Sequence, residues 1–217
     1  VTRRISLEHR RSSGILMAVA TRKKQPAITR RLLLEAAHDC FSTLGHSGSG
    51  IGTVIARAGV TSGALFHHFA DKRQLTLAWI NEVLAPHLHE AWIAPLQNVI
   101  SLTQLRAMMR DGCADLGLCS PVSSLASVGA EISSSDPALR DAFAAVIGNW
   151  QDAFETMLER GRTEGWIHRA IRPEQEAPLI IATICGLAVS ARIGPDRSRS
   201  MTAATALDSY LDTLRPE

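Results

Sequence analysis

Between Val54 and Phe69 the sequence reads VIARAGVTSGALFHHF, two apolar-periodic stretches separated by Gly59-Val60-Thr61. Helices this short draw their stability from packing rather than from propensity, so the segment needs a third element to pack against. One lies just upstream. After Pro26, the residues Leu33, Ala36, Ala37, Cys40, Phe41 and Leu44 fall at helical spacing, with Thr29 as the expected N-cap and Gly45 as the terminator. The glycine- and serine-rich run His46–Gly52 predicts a loop that eats into the next helix. Short helices are then predicted over Ile51–Ala58 and Ser62–Phe69, with Gly59 permitting a sharp turn and Thr61 capping the second. A helix, a short helix, a glycine turn and another short helix make a helix-turn-helix layout.

Beyond Asp71 the elements lengthen. A helix carrying Leu75, Ala78, Trp79 and Val83 is expected to bend or stop near Pro86, and Pro95 to end the next piece. Helices are predicted over Thr103–Cys113 and Val122–Ile132, with an irregular stretch between. Asp136-Pro137 is a helix start, an acidic N-cap followed by proline in the first turn. The helix after it runs to Gly161 or Gly165, another follows Pro173 and stops at Gly194-Pro195, and a last one spans about Arg199 to Leu214. Abundant Ala, Leu and Arg with a single Tyr favour helix over sheet. The expected fold is all-α with about nine helices. Its domains are a basic N-terminal extension without fixed structure (1–26), a helix-turn-helix head (27–87, motif at about 50–69) and a larger helical domain (88–217).

Charge divides the chain unevenly. Residues 1–31 hold nine Lys/Arg and one acid, Glu8, whereas the whole chain has a formal charge of +2, so the body is acidic. Such an arm suits a polyanion, and it equally suits a solvated tail. Val1 opens the sequence and Met17 precedes the first strongly periodic segment, which leaves residues 1–16 as either a true extension or an early start. Cys40, Cys113, Cys119 and Cys185 form no CxxC pair, which argues against zinc and for free thiols in a reducing cytoplasm. No metal or cofactor is expected. No run is expected to reach a membrane span of about 20 apolar residues, and no secretory signal is convincing.

The motifs Ala36-Ala37, Phe41, Ile55-Ala56, Ala58-Gly59-Val60, Gly63 to Phe66, His68-Phe69 and Phe69-x-x-Lys72-x-x-Leu75 stand in fixed order over Thr29–Leu75. This segment resembles the DNA-binding head of the tetracycline-repressor (TetR) family. The resemblance implies that Thr53, Thr61, Ser62, Gly63, Phe66, His67, His68 and Lys72 lie at or near DNA, with Arg30 and Arg31 adding phosphate contacts. Arg57 is as well placed for a solvated helix charge as for phosphate. The segment departs from the family pattern at Phe66, where Tyr is usual, in the loop after Gly45, which is one residue longer than usual, and at Gly50 and Gly52, which weaken the start of the second helix.

The same resemblance implies a two-fold homodimer formed by the last two long helices, here the apolar Leu179–Ala191 and the stripe Leu207, Leu211 and Leu214. Ser120-Pro121-Val122 to Glu131, with Asp136 to Arg140, resembles a C-terminal pattern of some members. A pocket for a small-molecule effector is expected among the middle helices, with Trp79, Trp92, Met108, Met109, Cys113, Trp150 and Phe154 as candidates; each is also a natural core residue. The expected function is a transcriptional regulator that binds a double-stranded DNA operator and is released by its effector. Two alternatives stand beside it: a thiol sensor using Cys113 or Cys119 in the same fold, and an all-helical enzyme. Residues 90–217 offer no legible nucleophile–base set, paired carboxylates or phosphate loop for the latter.

Overall fold

The computed structural model describes residues 5–116, 120–194 and 197–216, with side chains from Pro26 onward except at 197, 199 and 200. Cys119 and Pro195 lie outside the described residues. The described residues form α-helices without strands. α1 (Ile5–Gly48) carries the apolar stripe of Leu33, Ala37, Cys40 and Phe41, all fully buried. It runs through Pro26, so Thr29 sits inside a helix and is not an N-cap. A proline removes its own N–H from the ladder and crowds the carbonyl four residues back, yet the chain keeps its helical path across Pro26. Gly45 does break the helix, at φ 76° and ψ 168°, leaving His46–Gly48 as a detached last turn.

α2 (Ile51–Ala58) and α3 (Ser62–His68) follow, as the spacing predicted. Gly59 adopts φ 66° and ψ 31°, a left-handed conformation that suits glycine, and its N–H bonds the Ile55 carbonyl. Val54, Leu65 and Phe69 are buried, and α1 packs on α2, α3 and α4.

α4 (Lys72–Trp79) starts on Asp71, whose carboxylate accepts the Gln74 N–H at 2.7 Å. Where a bend or a stop is expected near Pro86, the helical path does not stop. A π-turn over Ile80–Leu84 leads into α5 (Ala85–Leu88), with Pro86 in its first turn where no N–H is required of it. A second π-turn (His89–Ile93) and a 3-10 turn (Ala94–Asn98) complete one interrupted rod, within which the expected domain boundary at residue 87 falls. Counting α4 and α5 as that rod, the described residues hold nine helical rods.

The remaining rods are α6 (Leu102–Ala114), α7 (Pro121–Ile132), α8 (Pro137–Glu164), α9 (Pro173–Ile193) and α10 (Arg197–Asp212). Asp136 caps α8 by accepting the N–H groups of Ala138 and Leu139. The helix ends beyond Gly161, at Gly165, whose φ is 82°. α9 packs against α7, α8 and α10. Against expectation, α9 is long and apolar enough to cross a membrane, judged by length and composition. Its Ile180, Ile181, Ile184 and Leu187 instead help to fill the core. Leu207, Leu211 and Leu214 are also buried within the chain, so that stripe holds α10 against its own subunit and is not an outward face.

Candidate nucleic-acid interface and small-molecule cavity

The N-terminal turn of α3 is presented to solvent by its cap. The Thr61 hydroxyl accepts the Ala64 N–H at 3.2 Å, while Thr61, Ser62, Gly63, Phe66 and His67 are exposed. A Cβ added at Gly63 would meet nothing within 4 Å, so this edge of the helix is open. Phe66 is 53% exposed, an aromatic ring on a surface that gives it no core to fill. Thr53 is exposed on α2. His68 turns partly inward, and burial, then His67 and Arg30, lower its pKa. Thr61, Ser62 and Gly63 at the start of this face are small and uncharged, which leaves room for close approach to a groove.

The predicted phosphate contacts are not equally available. Arg30 stacks over the Phe69 ring at 4.6 Å from its centroid and pairs with Glu82. It therefore links α1 to the residue that ends α3 and to the turn that follows α4. Lys72 donates from Nζ to the His46 carbonyl at 2.6 Å, and burial, partly offset by the Glu131 carboxylate, lowers its pKa. Arg57 pairs with Asp39 at 3.1 Å. Arg31 pairs with Glu35 one helical turn on and remains largely exposed.

A junction missed in the sequence lies behind the head. Glu131, in the last turn of α7, accepts the backbone N–H groups of His46 and Ser47 at 2.8 and 2.6 Å. Burial works against its charge, but the Ser47 side chain, these backbone bonds and the nearby His46 ring hold its pKa below its ordinary value. His46 Nε2 lies 3.0 Å from the Thr76 hydroxyl; burial, then the Lys72 ammonium, lower its pKa. Two further links tie the head to the larger domain: Ser42 to Ser124 at 2.7 Å, buried, and Arg73 to Asp136 at 2.6 Å. Only the capping role of Asp136 had a local signal; the other partners are distant in sequence.

Most of the expected pocket residues are core. Trp79, Trp150 and Phe154 are fully buried, and Trp92 and Met109 nearly so. Trp92 meets Trp150 edge-on at 5.4 Å, and Gly112 makes room for it: a Cβ there would lie 2.5 Å from Cη2. Met108 is half-buried against the same core. Their size explains both readings, because large apolar side chains fill cores before they line cavities.

The cavity lies elsewhere, between α6, α9 and α10, with a volume of about 360 Å³. Of the expected residues only Cys113 lines it, with Leu116, Leu187, Ala191, Met201 and Ala204 as further apolar walls. Arg110, Thr205 and Asp208 form its polar end. Burial pushes the Cys113 thiol up to about 11, which keeps it protonated at neutral pH and poorly nucleophilic. Among the described residues no cluster of three or more His, Cys, Asp or Glu could hold a metal ion.

With this geometry in hand, the comparisons with known proteins agree on both halves. Residues 33–79 match the family model "Bacterial regulatory proteins, tetR family", and residues 124–207 match "Tetracyclin repressor-like, C-terminal domain". The chain belongs to the TetR family. Among curated relatives, the A-factor receptor protein of Streptomyces griseus is 29% identical over 159 residues, covering 73% of this chain and 53% of that protein. The transcriptional repressor AcnR of Corynebacterium efficiens is 41% identical over 66 residues, 30% of this chain and 35% of its own. The TetR-family chain thus spans about half, or about a third, of the length of these relatives. A solved TetR transcriptional regulator from Chloroflexus aurantiacus superposes with a TM-score of 0.76 at 25% identity, covering 88% of this chain and 98% of that one.

Proposed function

We propose that this TetR-family chain is a DNA-binding transcriptional repressor that acts in the cytoplasm as a homodimer and leaves its operator when a small molecule binds the larger domain. The observation that carries this is the open N-terminal face of α3, capped by Thr61 and offering Ser62, Gly63, Phe66 and His67 beside Thr53. A recognition helix reads base edges through its N-terminal residues, and small side chains there allow a deep approach. Arg31 and the basic segment before it supply charge for phosphates. Arg30 and Lys72 serve the head from within, by holding α3 and α4 in place.

Dimerisation finds support on α9. Leu179, Ala182, Gly186, Ser190 and Ile193 recur at helical spacing and are exposed, on a different face from the buried Ile180, Ile184 and Leu187. A two-fold contact there would let two heads address two half-sites. The effector has its support in the cavity, and the printed names of relatives, a repressor and a receptor, point the same way.

The test is selection of bound sequences from random duplex DNA, followed by mobility-shift titration at two salt concentrations. A specific site with two protomers bound, resistant to nonspecific competitor, is the expected result. Binding that is only nonspecific and vanishes near physiological salt would refute the proposal.

A further inference from the structure

We infer that the cavity between α6, α9 and α10 is a binding site for a medium-chain aliphatic carboxylate, an apolar tail of about ten carbons with one anionic head. The inference rests on the effector reading above and names its chemical class. Size sets the first limit. At roughly 30 Å³ per non-hydrogen atom, the share a water molecule takes in the liquid, 360 Å³ holds about a dozen atoms, the count of a ten-carbon carboxylate. The walls set the second. Leu116, Leu187, Ala191, Met201 and Ala204 are apolar, and the protonated Cys113 thiol joins them, so most of the occupant has to be hydrocarbon.

The polar end decides the head group. Arg106 grips Asp208 with two bonds, at 3.0 and 2.7 Å, and its third nitrogen meets Asp212. Arg215 also pairs with Asp212, at 2.6 Å. Arg110 reaches the Asp208 oxygen that Arg106 Nε already engages, at 2.9 Å. Three guanidiniums therefore share two carboxylates, which leaves the cluster with a net positive charge, and of the three it is Arg110, its side chain 52% exposed, that lines the cavity. A guanidinium has five N–H donors in a planar fork that matches a carboxylate. The Asp208 carboxylate at the same end is already engaged by Arg106 and Arg110, so an amine head would meet the like charge of Arg110 beside an occupied acceptor, and an alcohol would forgo the charge-assisted bond.

The experiment is isothermal titration of the purified full chain with decanoate, decanol and decylamine. Decanoate is expected to bind once per protomer, decanol about tenfold more weakly, and decylamine not at all. Arg110→Gln should weaken decanoate about tenfold and leave decanol unchanged. Ala204→Phe should abolish both while retaining Tm and DNA binding; if that variant does not fold, Ala191→Leu replaces it. No decanoate binding by protein that still binds DNA overturns the inference and leaves the regulator reading standing. Equal affinity for decylamine, or indifference to both substitutions, also overturns it. Site-sensitive binding that leaves DNA affinity unchanged supports the site and refutes the effector reading instead.

Discussion

Glu131 accepts the Ser47 backbone N–H at 2.6 Å, across the junction between the helix-turn-helix head and α7. The same carboxylate takes the His46 N–H at 2.8 Å, so it satisfies two donors left exposed where Gly45 breaks α1. α7 in turn packs on α9. A change at α9 thus has a short physical route to the turn that precedes α2.

Glu131→Ala should therefore loosen the head more than it destabilises the fold. Hydrogen bonds to a charged group contribute about 1.5–3 kcal/mol, and the exposure of Glu131 reduces this to about 1 kcal/mol. DNA affinity should fall beyond what that loss explains, with Glu131→Gln restoring part of it. Urea unfolding and mobility-shift titration separate the two effects. An unchanged affinity in the Ala variant would sink the junction's role.

The same junction predicts acid sensitivity. His46 has a lowered pKa in the folded state, whereas in the unfolded chain it titrates near about 6.5. Between those values the unfolded state holds the extra proton, so stability is full above about pH 6.5 and declines as pH falls through the window. Glu131, also lowered, adds a further loss in the carboxylate range as pH falls through its folded value. Unfolding midpoints measured from pH 8 to 5 should drop for the native chain and drop less for His46→Gln. Parallel curves for the two would exclude His46 as the source.

Gly63 offers a separation of stability from recognition. A Cβ there meets nothing within 4 Å, and glycine inside a helix is disfavoured relative to alanine by about 1 kcal/mol. Gly63→Leu should hold or raise Tm and yet abolish specific binding, because the added side chain stands where α3 would approach base edges. Specific binding that survives in Gly63→Leu would mean that another surface reads the DNA.

Legibility in the sequence followed the distance of the interactions involved. The turn at Gly59, the Thr61 cap and the Asp136-Pro137 start are local, and each was visible as residue type and spacing. Helix continuity through Pro86 was not, because it depends on a π-turn ahead of the proline. The roles of Arg30 and Lys72 were hidden by partners far along the chain, Glu82 and His46. The tryptophans misled because size and apolarity mark core and pocket alike. The cavity exists where side chains are small, at Ala191 on α9 and Ala204 on α10, and an alanine in a helix carries no signal of empty space.

The exposed face of α9 yields the last prediction. Leu179 is 49% and Ile193 78% exposed, yet Ile180 and Ile184, on the opposite side, are fully buried. A glutamate at both exposed positions leaves the internal packing intact and places like charges opposite each other across a two-fold contact. Leu179→Glu combined with Ile193→Glu should give a folded monomer in sedimentation experiments, with little change in helical circular dichroism. A monomer contributes one head, so its affinity for a two-half-site duplex should collapse. The slope of log K against log salt should also fall to about half, since each head neutralises its own set of phosphates. A double variant that still sediments as a dimer would move the interface off α9, and a monomer that keeps the full salt slope would show that one head makes all the phosphate contacts.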